Sequence, residues 1–128
     1  MKNTFLDYGY SAEEIENRVN DTFYAIFEGI NRFYFEGFLP QKKGRQTRMQ
    51  QLSQQAHTMI IYESPFRLVK TLEQLSEYLG ADRKASVSRE ISKVHEDTQR
   101  GTLMELVEHY KEVPPKGEIV IIVAGKDS

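Results

Sequence analysis

The chain has 128 residues, 28% of them charged, a formal net charge of −2 and no cysteine. That length can bury one ordinary core without cross-links, and the missing cysteine excludes disulfides, thiol catalysis and cysteine-bound metal, in keeping with a reducing compartment. No run approaches the roughly 20 apolar residues of a membrane span, and the opening MKNTFLDYGYSAEE lacks the basic-then-apolar order of a secretion signal, so a soluble, cytoplasmic protein is expected.

Residues 1–31 carry two basic and six acidic side chains, a net of −4, whereas the remainder carries fifteen and thirteen, a net of +2. The shift predicts a boundary near Asn31. Ser11 and Glu14 have the form of a capping box, and Ile15, Val19, Phe23, Ile26 and Phe27 recur at helical spacing, so 12–28 reads as an amphipathic helix stopped by Gly29. RFYFEGFLP, aromatic and ending on Pro40, predicts a strand. QKKGRQTRMQQLSQQA predicts a helix with the thin apolar stripe Met49, Leu52 and Ala56, and TMIIY a strand covered on both faces.

Ser64 then suits an N-cap and Pro65 a first helical position, with Leu68, Leu72, Leu75 and Leu79 as the buried stripe and Gly80 as the stop. KASVSREI alternates as a strand does. Thr102 and Glu105 form a second capping box for a helix packed through Leu103, Leu106, Val107 and Tyr110, which Pro114 and Pro115 break. GEIVIIVAG is the most strand-like run of all. Four strands alternating with three helices, after the leading helix, predict an α/β sandwich with a mixed or mostly parallel sheet and flanking helices.

Three groups of residues could carry chemistry. Glu63 sits where the TMIIY strand hands over to a helix, the place where open α/β sheets bind ligands. Its carboxylate could accept from a ligand's donors, or simply serve the positive end of the helix dipole. Arg89, Glu90, Lys93, His95, Glu96, Asp97 and Arg100 crowd a connection between strand and helix, either a functional loop or a solvated one. His95, Glu96 and Asp97 do not make a metal site, because His57 and His109 lack matching carboxylate spacing and no H-E-x-x-H is present, so no metal is expected. Lys42, Lys43, Arg45 and Arg48 could neutralise several phosphates, each contact adding salt-sensitive affinity. Phosphate-loop, dinucleotide and nucleophile-elbow motifs are missing, which leaves standard hydrolase and nucleotide-triphosphate chemistry unsupported.

FYFEGFLPQKKGRQTRMQQL, IYESPFRLVKTLEQL, SREISKVHEDTQRGTLMELVEHY and PPKGEIVIIVAG, taken in order from about Arg32 to Gly125, resemble the C-terminal domain of the bacterial enzymes that 2′-O-methylate a cytidine of 16S ribosomal RNA. Those enzymes are members of the tetrapyrrole methylase superfamily. The resemblance implies two segments, a helical 1–31 foreign to the family and a C-terminal methylase domain at 32–128. It implies S-adenosylmethionine as cofactor, held in a cleft between two α/β domains, and a homodimer acting on 16S ribosomal RNA or the small ribosomal subunit. By resemblance Tyr62, Glu63, Ser64 and Ala124 would face the cofactor, and Lys42, Lys43, Arg45 and Arg48 would approach RNA, as would Arg67. Arg89, Glu90, Lys93, His95, Glu96, Arg100 and Gly101 match a second signature block, which would serve the substrate side or the domain interface, with Arg89, Lys93 and Arg100 as candidate RNA contacts. Glu63, Glu90 and Lys93 are candidate proton acceptors for the ribose hydroxyl.

Two departures qualify the match. Phe66 stands where the family usually has histidine, and the family's glycine-rich cofactor segments have no counterpart in this sequence. The chain alone is therefore expected neither to bind the cofactor tightly nor to turn over. Two other readings stay open: a non-catalytic RNA-binding or dimerisation module, and a corrin or porphyrin-precursor methylase domain.

Overall fold

Apolar runs separated by glycine, proline and charge divide the chain into short elements. The computed structural model, described for residues 33–89, 97–115, 117 and 119–126, arranges them as one sheet with helices packed on it. In order these are β1 (Phe33–Phe38), α1 (Arg45–Ser53), β2 (Thr58–Glu63), α2 (Leu68–Leu79), β3 (Lys84–Arg89), β4 (Asp97–Thr102), α3 (Leu103–Glu112) and β5 (Ile119–Val123). The predicted helix at 12–28 and the boundary near Asn31 lie outside the described residues.

The five strands lie side by side in the order β1, β2, β5, β3, β4. Only β1 and β2 pair in parallel; β5 runs antiparallel to both β2 and β3, and β3 antiparallel to β4. The sheet is mixed, as expected, but mostly antiparallel rather than mostly parallel. The reason is physical: a strand buried on both faces shows the same apolar run whichever way its neighbour points, so IVIIV does not encode its own direction.

Alternate residues divide the sheet into two faces. Met59 and Ile61 of β2, Ile119, Ile121 and Val123 of β5, and Ala85 and Val87 of β3 share one core with the helices. Onto them pack Met49 and Leu52 of α1, the stripe Leu68, Leu72, Leu75 and Leu79 of α2, and Leu103, Leu106, Val107 and Tyr110 of α3. Fully burying one such aliphatic side chain contributes about 1.5–3 kcal/mol. On the opposite face Ile60, Tyr62, Val120 and Ile122 are buried beside Ser86 and Ser88. A bulge at Glu36 shifts the β1 register between Phe35 and Gly37, and Gly37 meets the turn with φ 73°. The shift carries both Phe35 and Phe38 to this second face, where their rings meet Tyr62 edge-on at 5.3 and 5.4 Å.

Three local expectations are corrected. Residues 65–67 form a turn and α2 begins at Leu68, one turn later than Ser64 and Pro65 suggested. Ala56 is exposed beyond the end of α1 instead of extending its stripe. Part of the charged connection after Arg89 is a fifth strand, β4, whose polar sequence DTQRGT suits a sheet edge and hides it from a search for apolar alternation. The second capping box is present: Thr102 Oγ1 accepts from the Glu105 N–H at 3.2 Å, and Glu105 Oε1 from the Thr102 N–H at 2.9 Å. The Thr102 N–H first, and its hydroxyl second, favour the charged form and hold the Glu105 carboxyl below the usual glutamate value.

At the far end of β5 the chain closes on itself. Lys126 N–H donates to Gln55 O at 2.8 Å, and a Cβ at Gly125 would run into the backbone of Ala56 and His57. Backbone cannot yield as a side-chain tip does, so Gly125→Ala is expected to lower the unfolding free energy by about 1–3 kcal/mol. Urea denaturation of the variant checks this, and an unchanged midpoint would show that the 54–57 segment moves aside freely.

Candidate functional site

The β2–α2 corner is built around one buried carboxylate. Glu63 closes β2 at 4% exposure. Its Oε1 accepts from the Ser64 N–H at 2.7 Å and from Arg67 Nε at 3.2 Å, while Oε2 accepts from Thr71 Oγ1 at 2.6 Å. Thr71 Oγ1 in turn accepts from Arg45 Nη2 at 2.8 Å, and the same guanidinium donates Nε to Gln74 Oε1 at 2.8 Å and Nη1 to the Pro40 carbonyl at 3.0 Å. One acid thus ties β2 to α2 directly and to α1 through Thr71. A carboxylate offers about four lone-pair positions, and three are taken by groups of the chain itself. A general base needs a lone pair within reach of the proton it removes; the geometry instead gives Glu63 the work of an anchor.

The remaining expected site residues distribute unevenly. Tyr62 is buried beneath Phe35 and Phe38, and Ser64 turns its Oγ back to accept from the Phe66 N–H at 3.1 Å. Ala124 is not beside them. Because β5 is antiparallel to β2, Glu63 lies opposite Ile119 whereas Ala124 follows Val123, which lies opposite Met59. The two segments are at opposite ends of the sheet, about 15 Å apart at some 3.4 Å per residue. One ligand facing all four residues would have to span that length of sheet. Ala124 is held there by its own chain, its N–H on the Lys84 carbonyl at 2.8 Å and its carbonyl on Arg83 Nη1 at 2.9 Å. Arg89 does share the end of Glu63, since both lie opposite Ile119 of the intervening β5.

The basic cluster is half internal. Arg45 is consumed by the network just described, and Arg48 Nε pairs with Glu36 Oε2 at 3.2 Å. Glu36 also receives a hydrogen bond from Tyr34 that pushes the phenol above its ordinary value. Lys42, Lys43 and Arg100 are exposed, and Arg67 is half-buried. Glu90, Lys93, His95 and Glu96 lie outside the described residues. Among the described residues no group of three or more His, Cys, Asp or Glu side chains could hold a metal, and no helix is long and apolar enough to cross a membrane.

The sequence reading missed Thr71 and Gln74. A threonine beside the leucine stripe was a signal, because a buried hydroxyl must find partners. Removing the acid while leaving its donors inside costs more than the net worth of its bonds. Glu63→Ala is therefore expected to lose about 2–4 kcal/mol, discounted from a fully buried pair because Arg67 reaches solvent. Glu63→Gln, which keeps an acceptor for Thr71, is expected to lose less. Chemical denaturation checks both, and equal losses would show that charge has no part.

No family model matches the chain. It is 45% identical over 96 residues to ribosomal RNA small subunit methyltransferase I of Synechocystis sp., covering 74% of this chain and 34% of that protein. It is 36% identical over 97 residues to the protein of the same name from Thermotoga maritima, covering 76% of this chain and 43% of that one. The chain thus spans about a third to two fifths of the length of these curated relatives. Among solved structures, the cobalamin biosynthetic enzyme cobalt precorrin-4 methyltransferase CbiF superposes with a TM-score of 0.57 at 12% identity, covering 74% of this chain and 41% of that one. The methyltransferase CobJ does so with a TM-score of 0.60 at 15% identity, covering 84% and 47%. Relatives and structural neighbours alike are methyltransferases, and the α/β unit described here has the tetrapyrrole methylase fold.

Proposed function

We propose that the chain is part of an S-adenosylmethionine-dependent methyltransferase that acts on a ribose 2′-hydroxyl of 16S ribosomal RNA. The observation that carries this is the 45% identity over 96 residues with a protein named ribosomal RNA small subunit methyltransferase I. A cytoplasmic homodimer on the small ribosomal subunit is the setting this reading implies.

The cofactor, when bound, supplies an electrophilic methyl group to the attacking oxygen. Tyr62, Glu63, Ser64 and Ala124 do not fit it as one donor set: the Glu63 carboxylate faces its own chain, and Ala124 stands at the other end of the sheet. No step of the transfer is routed through them. Of the candidate proton acceptors, Glu63 is engaged by its own chain, and the role is assigned to Glu90 or Lys93. This chain's own contribution is to offer a rigid, positively charged corner to RNA. Because it spans a minor part of its relatives, it is expected on its own to show no low-micromolar S-adenosylmethionine affinity. Isothermal titration calorimetry checks this, and a clear low-micromolar isotherm would refute it.

A non-catalytic RNA-binding or dimerisation module is favoured by one observation, the internal engagement of Glu63. A corrin-precursor substrate is favoured by another, the fold shared with CbiF. Salt dependence separates RNA from tetrapyrrole. Lys42 and Lys43 are exposed on the loop that Arg45 pins to Thr71 and Pro40, so neutralising both to Gln is expected to flatten the slope of log K against log salt for single-stranded RNA by about 1.4. A slope unchanged by that double substitution would remove the loop from the RNA interface.

A further inference from the structure

Phe66 is 96% exposed, whereas the other exposed large hydrophobic side chains among the described residues, Phe35, Met104 and Val113, keep about half of their surface covered. Leaving a whole benzyl group in water forgoes roughly 1.5–3 kcal/mol of burial, and a ring that contributes nothing to the core is free to serve something else. Its mounting is rigid. The Phe66 N–H is bonded to Ser64 Oγ at 3.1 Å, the Arg67 N–H to the Ser64 carbonyl at 3.0 Å, and Pro65 fixes the backbone between them. The turn therefore fixes the backbone from which the ring projects, so binding need order only the two side-chain torsions.

The acids that bound the ring's two neighbouring segments are paired, Glu63 with Arg67, Glu36 with Arg48 and Glu73 with Lys111, so the unpaired charge within those segments is cationic. From Ser64 to Leu72 the charged residues are Arg67 and Lys70, and from Gly37 to Arg48 they are Lys42, Lys43, Arg45 and Arg48, with no acid in either segment. Arg45 bonds Thr71 and Arg67 bonds Glu63, so the two segments meet at the same carboxylate. Glu63 takes only the Nε of Arg67, whose side chain is 38% exposed, which leaves the outer edge of the guanidinium turned to other partners. Lys70 is exposed three residues further on. An aromatic face flanked by cations is how proteins hold unpaired nucleic acid, the ring stacking on a base and the cations meeting its phosphates.

We propose that Phe66 is a stacking platform for an unpaired RNA base, with Arg67 and Lys70 on the adjoining phosphates. The proposal rests on the RNA reading above and adds to it a preference for single strands at a defined corner. Because the ring buries nothing in the chain, Phe66→Ala leaves the fold intact. The test uses the 128-residue chain and fluorescence anisotropy with a labelled unpaired RNA of roughly 12 nucleotides and a duplex of equal length. Phe66→Ala is expected to weaken binding of the unpaired RNA by about 5- to 100-fold, to change duplex binding less than about twofold, and to be rescued by Phe66→Trp. Lys70→Gln is expected to reduce the salt dependence for both RNAs alike. Unaltered affinity in Phe66→Ala, with normal RNA binding by the unsubstituted chain, overturns the stacking proposal alone. Absence of RNA binding by the unsubstituted chain overturns the RNA reading and this proposal together. A shift in sedimentation coefficient on Phe66→Ala with unchanged RNA affinity would assign the ring to a protein contact and likewise overturn it.

Discussion

A carboxylate taken out of water has to be surrounded by donors or it destabilises everything near it. Glu63 meets that demand by recruiting a backbone N–H from Ser64 and a guanidinium from Arg67, both ahead of α2, and a hydroxyl from the first turn of that helix. The course of the chain around the corner follows from this requirement. Ser64 must turn its N–H inward, α2 must bring Thr71 round to the same oxygen pair, and Thr71 must then be shared with Arg45, which fixes α1 and the loop before it. The apolar contacts beneath hold the layers together; the polar corner sets how they are registered.

This division of labour accounts for what could be read in the sequence. The α2 leucines repeat every three or four residues because a helix on a sheet needs a continuous stripe, and that local rule made the helix visible. The Thr102 and Glu105 box is local too. Strand β4 was hidden because an edge strand can be polar, and the place of β5 was hidden because pairing partners are chosen across the whole chain. Within the site, the proximity of Glu63 to a helix start was legible, but its partners were not. Arg45 looked like one more surface cation among Lys42, Lys43 and Arg48, yet its partner Thr71 lies 26 residues away. Spacing cannot reveal a bond of that kind. The distance between Ala124 and Glu63 was hidden for a similar reason, since it depends on a strand direction that the apolar run does not carry.

The corner also separates two tasks that a basic cluster tends to blur. Arg45 and Arg48 are drawn inward to carboxylate and carbonyl partners and act on geometry. Lys42, Lys43 and Lys70 stay in solvent, where their charge is felt at a distance. Arg67 belongs to both sets, one nitrogen spent on Glu63 and its outer edge facing outward. Salt weakens the solvent charges first, whereas Arg45 bonds only neutral acceptors and keeps the corner in shape as the field is screened.

The position of β5 has a consequence for how the molecule is assembled. It is the last described strand in chain order, yet it lies between β2 and β3 and supplies hydrogen bonds to both. Until it is in place, β2 and β3 each present an open apolar rim with no neighbour on that side, the kind of edge that invites another chain. Without β5 the strands fall into two separate pairs, β1 with β2 and β3 with β4, and it is this one strand that makes them a single sheet.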